Sequence, residues 1–472
     1  MEAVDSRKLG FGLLVALGVG SMIGGGIFNS PTDLIGVANP QTTIIAWIIG
    51  GIGVISLALI FQLLADKRPD LTNGIYNYAR AGFGEYVGFN SAWGYWVSAW
   101  LGNVAFLALL FKTLNSLLGV YALKPYMTFI AASILLWVIH FIIANGIKSA
   151  GIVNSIVTIA KVLPLILIVL FGVFAFKGAT FSVPNWQNTL ASTGDATSLF
   201  GQINGAMGTI LWCFIGVEAA SVMSERAESQ KIVGRATLCS LLITLVMYML
   251  ISTIAMGVVP ADKLAGASTP LADVLQATVL GGAGSVIVKL GIIISLFGAT
   301  LSWILLAVEN PYIAAKDGVM PSWFAKENDK GVPINSLFLT DLLTQIFLVA
   351  LLSEKLQTAY YSIYYMATSL VLIPYFFSAL YAAKVCRDDK LSVKSWIIAL
   401  VAIVYSVYVI YAVGVFYLGA TFIMYAIGII PYCISMKERK RKIAKGEMVA
   451  MVIITAIAVF MGYQIGIGAI TL

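Results

Sequence analysis

Charged residues and histidine are scarce in this sequence. Asp, Glu, Lys and Arg make up 11% of the 472 residues, and His140 is the single histidine. Soluble domains carry about 25% charged residues, so this composition excludes an ordinary soluble protein. One histidine also argues against an enzyme with its active site at the membrane surface, because such a site needs a constellation of His, Asp or Cys side chains.

The cysteines and glycines lack the spacings of two common kinds of functional site. Cys213, Cys239, Cys386 and Cys433 are scattered and form neither a metal-binding pattern nor an obvious disulfide frame. We interpret them as small buried apolar residues. The phosphate-binding motif GxxxxGK[ST] is missing from the sequence, which argues against ATP-driven pumping. We therefore expect neither a metal nor a cofactor.

Long apolar runs dominate what is present. The chain is 60% hydrophobic, with a mean hydropathy of +0.94. Runs of about 20 apolar residues are typical of membrane-spanning helices, so the sequence predicts an all-α integral membrane protein. The predicted helical segments cover residues 9–36, 42–65, 85–115, 125–145, 149–176, 198–224, 233–258, 283–315, 335–352, 357–383, 394–414, 417–436 and 447–469.

Lysine and arginine are concentrated in every second connection between these segments, which places them on one side of the membrane. The basic side holds Arg7, Lys8, Lys67, Arg68, Arg80, Lys148, Arg226, Lys231, Arg235, Lys316, Lys326, Lys330, Lys384, Arg387, Lys390, Lys394 and the run 437–445. The opposite side holds only Lys124, Lys177, Lys263 and Lys355. The positive-inside rule then places the N-terminus in the cytosol and the C-terminus outside. The net charge of +7 indicates membrane anchoring rather than nucleic-acid binding, and the basic run could also bind anionic lipid.

Three consecutive glycines interrupt the first segment, in the stretch GSMIGGGIFNSP. Gly24, Gly25 and Gly26 each cost a helix about 1 kcal/mol relative to alanine. Irregular backbone at membrane depth persists only where protein or a watery cavity satisfies its polar groups. Close helix packing through the Gly20–Gly24 GxxxG pair is the alternative, but three adjacent glycines exceed what packing needs. We predict a broken helix with a site at the break.

A matching break is predicted five segments later, in LWCFIGVEAAS. Gly216 is followed there by the buried carboxylate Glu218. Paired broken helices are typical of transporters built from inverted repeats. Two breaks offer free N–H groups for a carboxylate and free carbonyls for an ammonium, which suits a zwitterionic amino acid. The predicted organisation is a cytosolic N-terminus (1–8), a ten-helix core (9–383, repeats about 9–176 and 198–383) and C-terminal helices (394–472) with a basic cytosolic loop (437–445).

The sequence resembles the amino acid–polyamine–organocation superfamily, and within it the bacterial basic amino acid/polyamine antiporters of the arginine/ornithine type. Four motifs carry the resemblance, which extends to about residue 436. They are GSMIGGGIFNSP, YWVSAWLGN (Tyr95–Asn103), LWCFIGVEAAS and the stretch Ser302–Pro333. The resemblance implies a five-plus-five inverted-repeat core whose first glycine break binds the substrate carboxylate. The family core usually has twelve helices, so the thirteenth segment is a departure.

The resemblance also implies which residues contact the substrate. Asn103 matches a position that hydrogen-bonds the substrate side chain, and Trp212 and Trp303 match positions that stack on the substrate or close over it. For each ring, ordinary packing is the alternative. The hydroxyl of Ser21 offers a further contact, although such hydroxyls commonly bond their own helix backbone. The candidate substrate-binding residues are Ser21, Gly24, Gly25, Gly26, Asn103, Trp212, Gly216 and Trp303.

Five further residues are candidates for gating or pH coupling. Lys161 lies midway along segment 5, where a charge costs at least about 2.5 kcal/mol. The resemblance implies that its ammonium replaces the sodium ion of sodium-coupled relatives and ties segment 1 to segment 5; snorkelling is the alternative. Glu218 matches a glutamate just below the substrate in arginine/agmatine antiporters, with a structural hydrogen bond as the alternative. The remaining candidates are Tyr95, Glu309 and Tyr375.

Two polar residues near the cytosolic ends of helices are interpreted separately. Glu309 lies about 10 Å from the cytosolic end of segment 8 by helix rise. It either neutralises a cationic substrate on the inner pathway or pairs with an interfacial lysine. His140, near the end of segment 4, is interpreted as a structural residue.

The sequence therefore predicts a sodium-independent antiporter in a bacterial plasma membrane that exchanges arginine, ornithine or lysine for a related amino acid. A histidine/histamine exchanger and a proton-coupled uptake carrier are alternatives, as is a channel or receptor with the same fold. The expected partners are amino acids and the lipid bilayer, and the sequence leaves a homodimer open.

Overall fold

The computed structural model describes residues 8–352 and 357–467, which fold into a succession of helices. The helices are α1 (Phe11–Met22), α2 (Gly25–Ile35), α3 (Pro40–Lys67), α4 (Gly74–Phe83), α5 (Glu85–Leu118), α6 (Pro125–Ala144), α7 (Ile147–Ala175), α8 (Gly178–Phe181), α9 (Leu199–Phe214), α10 (Ala219–Val222), α11 (Gln230–Val258), α12 (Ala261–Ala265), α13 (Pro270–Gln276), α14 (Gly281–Lys316), α15 (Ile334–Phe347), α16 (Gln357–Asp388), α17 (Val393–Val413), α18 (Val415–Glu438) and α19 (Lys445–Gly466).

The predicted membrane architecture is confirmed. Within the described residues, eleven helical spans are long and apolar enough to cross a membrane, with α1 and α2 counted together as one. The two other predicted segments contain shorter helices: 198–224 holds α9 and α10, and 335–352 overlaps α15. Segment 6 falls short because α9 ends after 16 residues at the break that the sequence predicted.

Both predicted breaks are present in the backbone. In the first segment α1 ends at Met22 and α2 begins at Gly25, and Gly24 between them has φ −117° and ψ −137°. In the sixth, four turn residues separate α9 from α10. Gly216 in that turn has φ +107°, a conformation that only glycine adopts without strain.

Long helices surround the two breaks. The 36-residue α14 is about 54 Å long by helix rise, whereas the hydrocarbon core of a bilayer is about 30 Å thick. It must therefore tilt. It packs along α5 and α7, and α1 packs between α7, α11 and α14. Because α1 also contacts α10 while α2 contacts α9, the two interrupted helices meet in the interior of the helical bundle.

The C-terminal helix α19 is peripheral. It packs mainly on α18, and only 17% of its most apolar stretch is buried. It therefore presents most of its surface to lipid and leaves the arrangement around the breaks to the preceding helices.

Candidate functional site

A small, nearly closed cavity of about 10 Å³ lies at the two breaks. This volume is far below the range of about 300–1,000 Å³ that is typical of small-molecule sites, so an amino acid fits only after the helices around the breaks move apart. The lining residues are Ser21, Met22, Gly24, Gly25, Gly26, Ser98, Gly102, Phe106, Trp212, Ile215 and Trp303. Six of the eight candidate substrate-binding residues are among them. The other two, Asn103 and Gly216, are absent from this lining, although each adjoins a residue that belongs to it.

One wall of the cavity is the N-terminal end of α2. The first N–H groups of any helix have no partner within the helix, and they carry partial positive charge. Gly25 and Gly26 occupy this first turn without side chains. A Cβ added to Gly26 would lie 3.2 Å from Cys213 Sγ, and one added to Gly24 would lie 3.2 Å from Phe106. The glycines thus leave backbone N–H groups open to a carboxylate.

The opposite wall is the carbonyl end of α1, and a lysine already occupies part of it. Lys161 is fully buried in α7. Its Nζ donates to the carbonyl oxygens of Gly20 and Ile23, both at 2.7 Å. The Ser295 hydroxyl donates to the Ile23 carbonyl at 3.2 Å. The buried ammonium therefore holds α7 against the negative end of the α1 dipole.

The carbonyls of Ser21 and Met22, between Gly20 and Ile23, accept hydrogen bonds from aromatic side chains. Trp303 Nε1 donates to Ser21 O at 3.0 Å, and the Tyr248 hydroxyl donates to Met22 O at 2.6 Å. The Gly24 N–H also donates to Met22 O, at 2.7 Å, so both lone pairs of that oxygen are used. A bound ammonium therefore shares Ser21 O or uses the carbonyl of Ile215 in the second break.

The two breaks touch each other through Ser21. Its hydroxyl donates to the carbonyls of Gly18 at 2.9 Å and of Gly216 at 3.1 Å. A Cβ added to Gly216 would lie only 2.7 Å from Ser21 Oγ. Gly216 therefore supports the cavity by close backbone approach rather than by lining it.

A carboxylate and two tyrosines lie beneath this contact. Glu218 is fully buried, and its Oε2 accepts from the Gly216 N–H at 3.1 Å and from the Tyr375 hydroxyl. Tyr95 interacts with the same carboxylate, and its ring centroid lies 6.1 Å from that of Trp303. The structural hydrogen bond considered for Glu218 is thus present, and through Tyr375 the carboxylate links the second break to α16.

Comparison with known proteins identifies the family. The sequence pattern described as "Amino acid permease", of the amino acid–polyamine–organocation family, matches residues 9–431. The chain belongs to this family.

Its relatives match over almost their whole lengths. An arginine/ornithine antiporter of Pseudomonas aeruginosa is 39% identical, over 94% of this chain and 94% of the relative. An arginine/ornithine antiporter of Lactococcus lactis is 35% identical, over 97% and 90%. An arginine/agmatine antiporter of Chlamydia felis is 36% identical, over 96% and 95%. The family and the apolar helices together make this permease a multi-pass membrane transport protein.

At the basic end of the permease, Glu309 pairs with an arginine. Both of its carboxylate oxygens lie 2.9 Å from Arg226 Nε. The interfacial lysine considered from the sequence, Lys316, pairs instead with Glu225 at 2.8 Å. The Tyr312 ring lies beside both cations, 5.5 Å from the Arg226 guanidinium carbon and 5.0 Å from Lys316 Nζ. Glu309 is therefore neutralised by the protein itself in this conformation.

The same end is closed by backbone pairing. Leu9 N donates to Arg226 O at 2.8 Å, and Glu228 N donates to Leu9 O at 3.1 Å. The segment before α1 is thus joined to the segment after α10, by bonds on either side of Ala227. From the sequence, Arg226 was interpreted only as part of a basic loop, because no neighbouring residue indicates a partner 83 positions away.

His140 lies in a separate cluster. Its Nδ1 is 2.7 Å from Asp341 Oδ2, which joins α6 to α15. Neither residue lines the cavity of this permease, and the pairing suits the structural role expected for His140.

Three cavity residues on α5 were missed by sequence reasoning. Ser98, Gly102 and Phe106 follow one another at intervals of four and therefore share a helix face. Two of them lie inside the YWVSAWLGN motif, so their spacing from Tyr95 was the available signal. Asn103, chosen from that motif by resemblance, lies about 100° further round the helix.

Proposed function

We propose that the chain is a secondary antiporter that exchanges a cationic amino acid, of the arginine, ornithine or lysine type, for a related amino acid across a bacterial plasma membrane. The observation that carries the proposal is the cavity between the two breaks, with helix N–H groups on one wall and carbonyls on the other. The substrates in the names of the relatives, arginine with ornithine or agmatine, support it.

The lining suits each part of such a substrate. The carboxylate binds the N–H groups at Gly25 and Gly26, and the α-ammonium binds the carbonyls near Ser21. The aromatic rings of Phe106 and Trp212, whose centroids are 6.1 Å apart, flank the place where a long cationic side chain lies once the cavity has opened. A cation over such a ring gains about 0.5–2 kcal/mol.

Exchange requires alternating access to this cavity. In the proposed mechanism the two five-helix repeats move against each other around the breaks. The N-terminus is cytosolic, so the closed basic end is the inner gate. Opening that gate requires the Arg226–Glu309 pair and the Leu9 pairing to separate.

Sodium is not required in this mechanism. The Lys161 ammonium already supplies a cation to the carbonyl end of α1, at a position where a bound sodium ion would have to sit to perform the same task. Coupling then comes from the requirement that the carrier binds a second amino acid before it returns, because the empty carrier does not reorient.

The test is counterflow in proteoliposomes. Vesicles loaded with ornithine should take up labelled arginine, saturably and equally well in sodium, potassium or choline buffer. Uptake into vesicles without internal amino acid, driven by a proton gradient, would favour the uptake carrier. Stimulation by internal histamine but not ornithine would favour the histidine/histamine exchanger, and unsaturable uptake would favour a channel.

Trp212→Leu should weaken binding of cationic substrates selectively. Leucine keeps apolar bulk but removes the ring face, so we expect a loss of about 1–2 kcal/mol for arginine, which is about five- to thirtyfold in Kd. A neutral isostere such as citrulline should lose less. Competition against labelled arginine measures both values. Equal losses for the two ligands would show that Trp212 only fills space.

Glu309→Gln should weaken the inner gate. Removing one partner of a buried ion pair costs about 3–5 kcal/mol, because it leaves the other charge uncompensated. We expect labelled arginine to leak from vesicles that face no external amino acid. Lys316→Gln is the matched control, since it breaks a more exposed pair worth at most about 1 kcal/mol. The double variant Arg226→Glu with Glu309→Arg should restore retention of labelled arginine. Equal leakage from Glu309→Gln and Lys316→Gln would contradict a gating role for the Arg226–Glu309 pair.

A further inference from the structure

Asp33 is an intramembrane carboxylate to which the proposed mechanism gives no role. It lies in α2, on the side of the cavity away from Arg226. Gly25, Asn29 and Asp33 follow at intervals of four and share one face of the helix. Asp33 therefore lies about 12 Å beyond Gly25 along the helix axis.

At Gly25 this face contacts both α5 and α14. A Cβ added to Gly25 would lie 3.0 Å from Leu109 and 3.6 Å from Phe106. One helical turn beyond Leu109 comes Lys112, an exposed cation whose charge acts on the Asp33 carboxylate. Gly25 and Phe106 both line the cavity, so Asp33 on α2 and Lys112 on α5 each lie about two helical turns beyond its lining.

The carboxylate is held in place but not neutralised by an ion pair. Asn29 Nδ2 donates to Asp33 Oδ1 at 2.8 Å. Among the ion pairs within 4.0 Å in the part of the chain described above, none involves Asp33 or Lys112. On the α9 side, Cys213 interacts electrostatically with Asp33. Cys213 adjoins Trp212 in sequence, and its Sγ would lie 3.2 Å from a Cβ added to Gly26, so α9 lies beside α2 at the cavity.

We propose that Asp33 and Asn29 form an outer subsite that holds the guanidinium or ammonium group of an incoming amino acid before it enters the cavity. Lys112 competes with the substrate for the same carboxylate. A carboxylate at a low-dielectric entrance raises the local concentration of cations, and it can bind a guanidinium through two parallel hydrogen bonds. The proposal rests on the proposed exchange of cationic amino acids.

The test compares variants of the full-length protein in ornithine-loaded proteoliposomes. Asp33→Asn should raise the KM for external arginine about tenfold, a change that corresponds to one weakened charge contact. The maximal exchange rate should stay within about twofold, since the subsite lies outside the cavity. Asp33→Glu should retain a low KM, and inhibition by neutral citrulline should not change. Asp273→Asn is the control, because Asp273 is a half-buried carboxylate of α13 influenced by another lysine, Lys289.

Lys112→Gln supplies the opposite perturbation. Removing the competing cation should lower the KM for arginine, and this result does not depend on whether the Asp33 variants fold. The proposal is overturned if Lys112→Gln raises or preserves the KM, or if Asp33→Asn weakens arginine and citrulline equally. Failure of the wild-type protein to exchange any cationic amino acid would instead refute the proposed function. Wild-type exchange is therefore measured before any variant is made.

Discussion

Lys161→Met should nearly abolish exchange while leaving a folded protein. Methionine has a similar length but removes the two 2.7 Å hydrogen bonds to the carbonyls of Gly20 and Ile23. The buried Gly20 carbonyl loses this donor, which costs about 1–3 kcal/mol, whereas the Ile23 carbonyl keeps the Ser295 hydroxyl at 3.2 Å. The end of α1 also loses the cation at the negative end of its dipole. The end of α1 should then adopt several positions, of which few bind substrate. We expect at least a tenfold fall in arginine–ornithine counterflow.

The control for this variant lies on the same helix. Lys148→Met removes a lysine near the beginning of α7, which belongs to the basic end, and should leave counterflow close to that of the wild-type protein. Size-exclusion chromatography and thermal unfolding of both variants separate loss of function from loss of fold. Wild-type counterflow that collapses in choline buffer would contradict the role proposed for the ammonium, as would a Lys161→Met protein with normal exchange.

Gly25→Val should eliminate substrate binding. The added Cβ lies 3.0 Å from Leu109 Cδ2, closer than ordinary van der Waals contact. One of the two methyl groups beyond it must therefore project over the first-turn N–H groups of α2. A carboxylate could no longer approach these donors, which are the only backbone groups of the cavity with partial positive charge at a helix start. We expect the Kd for arginine to rise more than tenfold.

Binding to purified protein, measured calorimetrically, tests this expectation without transport. Gly12→Val is the matched control, because a Cβ there meets nothing within 4 Å. Gly25→Ala should show an intermediate loss, since it adds the Cβ without the branch. Near-normal arginine affinity of Gly25→Val would show that the three glycines serve helix packing only.

The positions of the helices and of both breaks were predictable because local physics determines them. An apolar run of about 20 residues has no alternative to a helix in lipid. Three adjacent glycines weaken a helix at Gly24–Gly26, and Gly216 has a positive φ that other residues adopt only with strain. The predicted clustering of Ser21, Trp212 and Trp303 follows from those breaks, since all three flank or face them. The relation of the two halves as inverted repeats stays a prediction.

Pairings between distant residues were not predictable in the same way. The sequence suggested a lysine for Glu309, yet Arg226 binds it, because which cation reaches a carboxylate depends on how α10 and α14 end beside each other. Asn103 was assigned by resemblance, but one residue's rotation about α5 decides that Gly102 lines the cavity instead.

The amino-acid sequence by itself determined the class of this protein, its helical segments and the places where the helices break, because hydrophobic length and glycine content act within a single stretch of chain. Only the tertiary structure decided which groups occupy the carbonyls of α1 and which ion pair closes the basic end. Those outcomes depend on distances between helices far apart in sequence, and a hydrogen bond or ion pair forms or fails over differences of about 1 Å that no local pattern encodes.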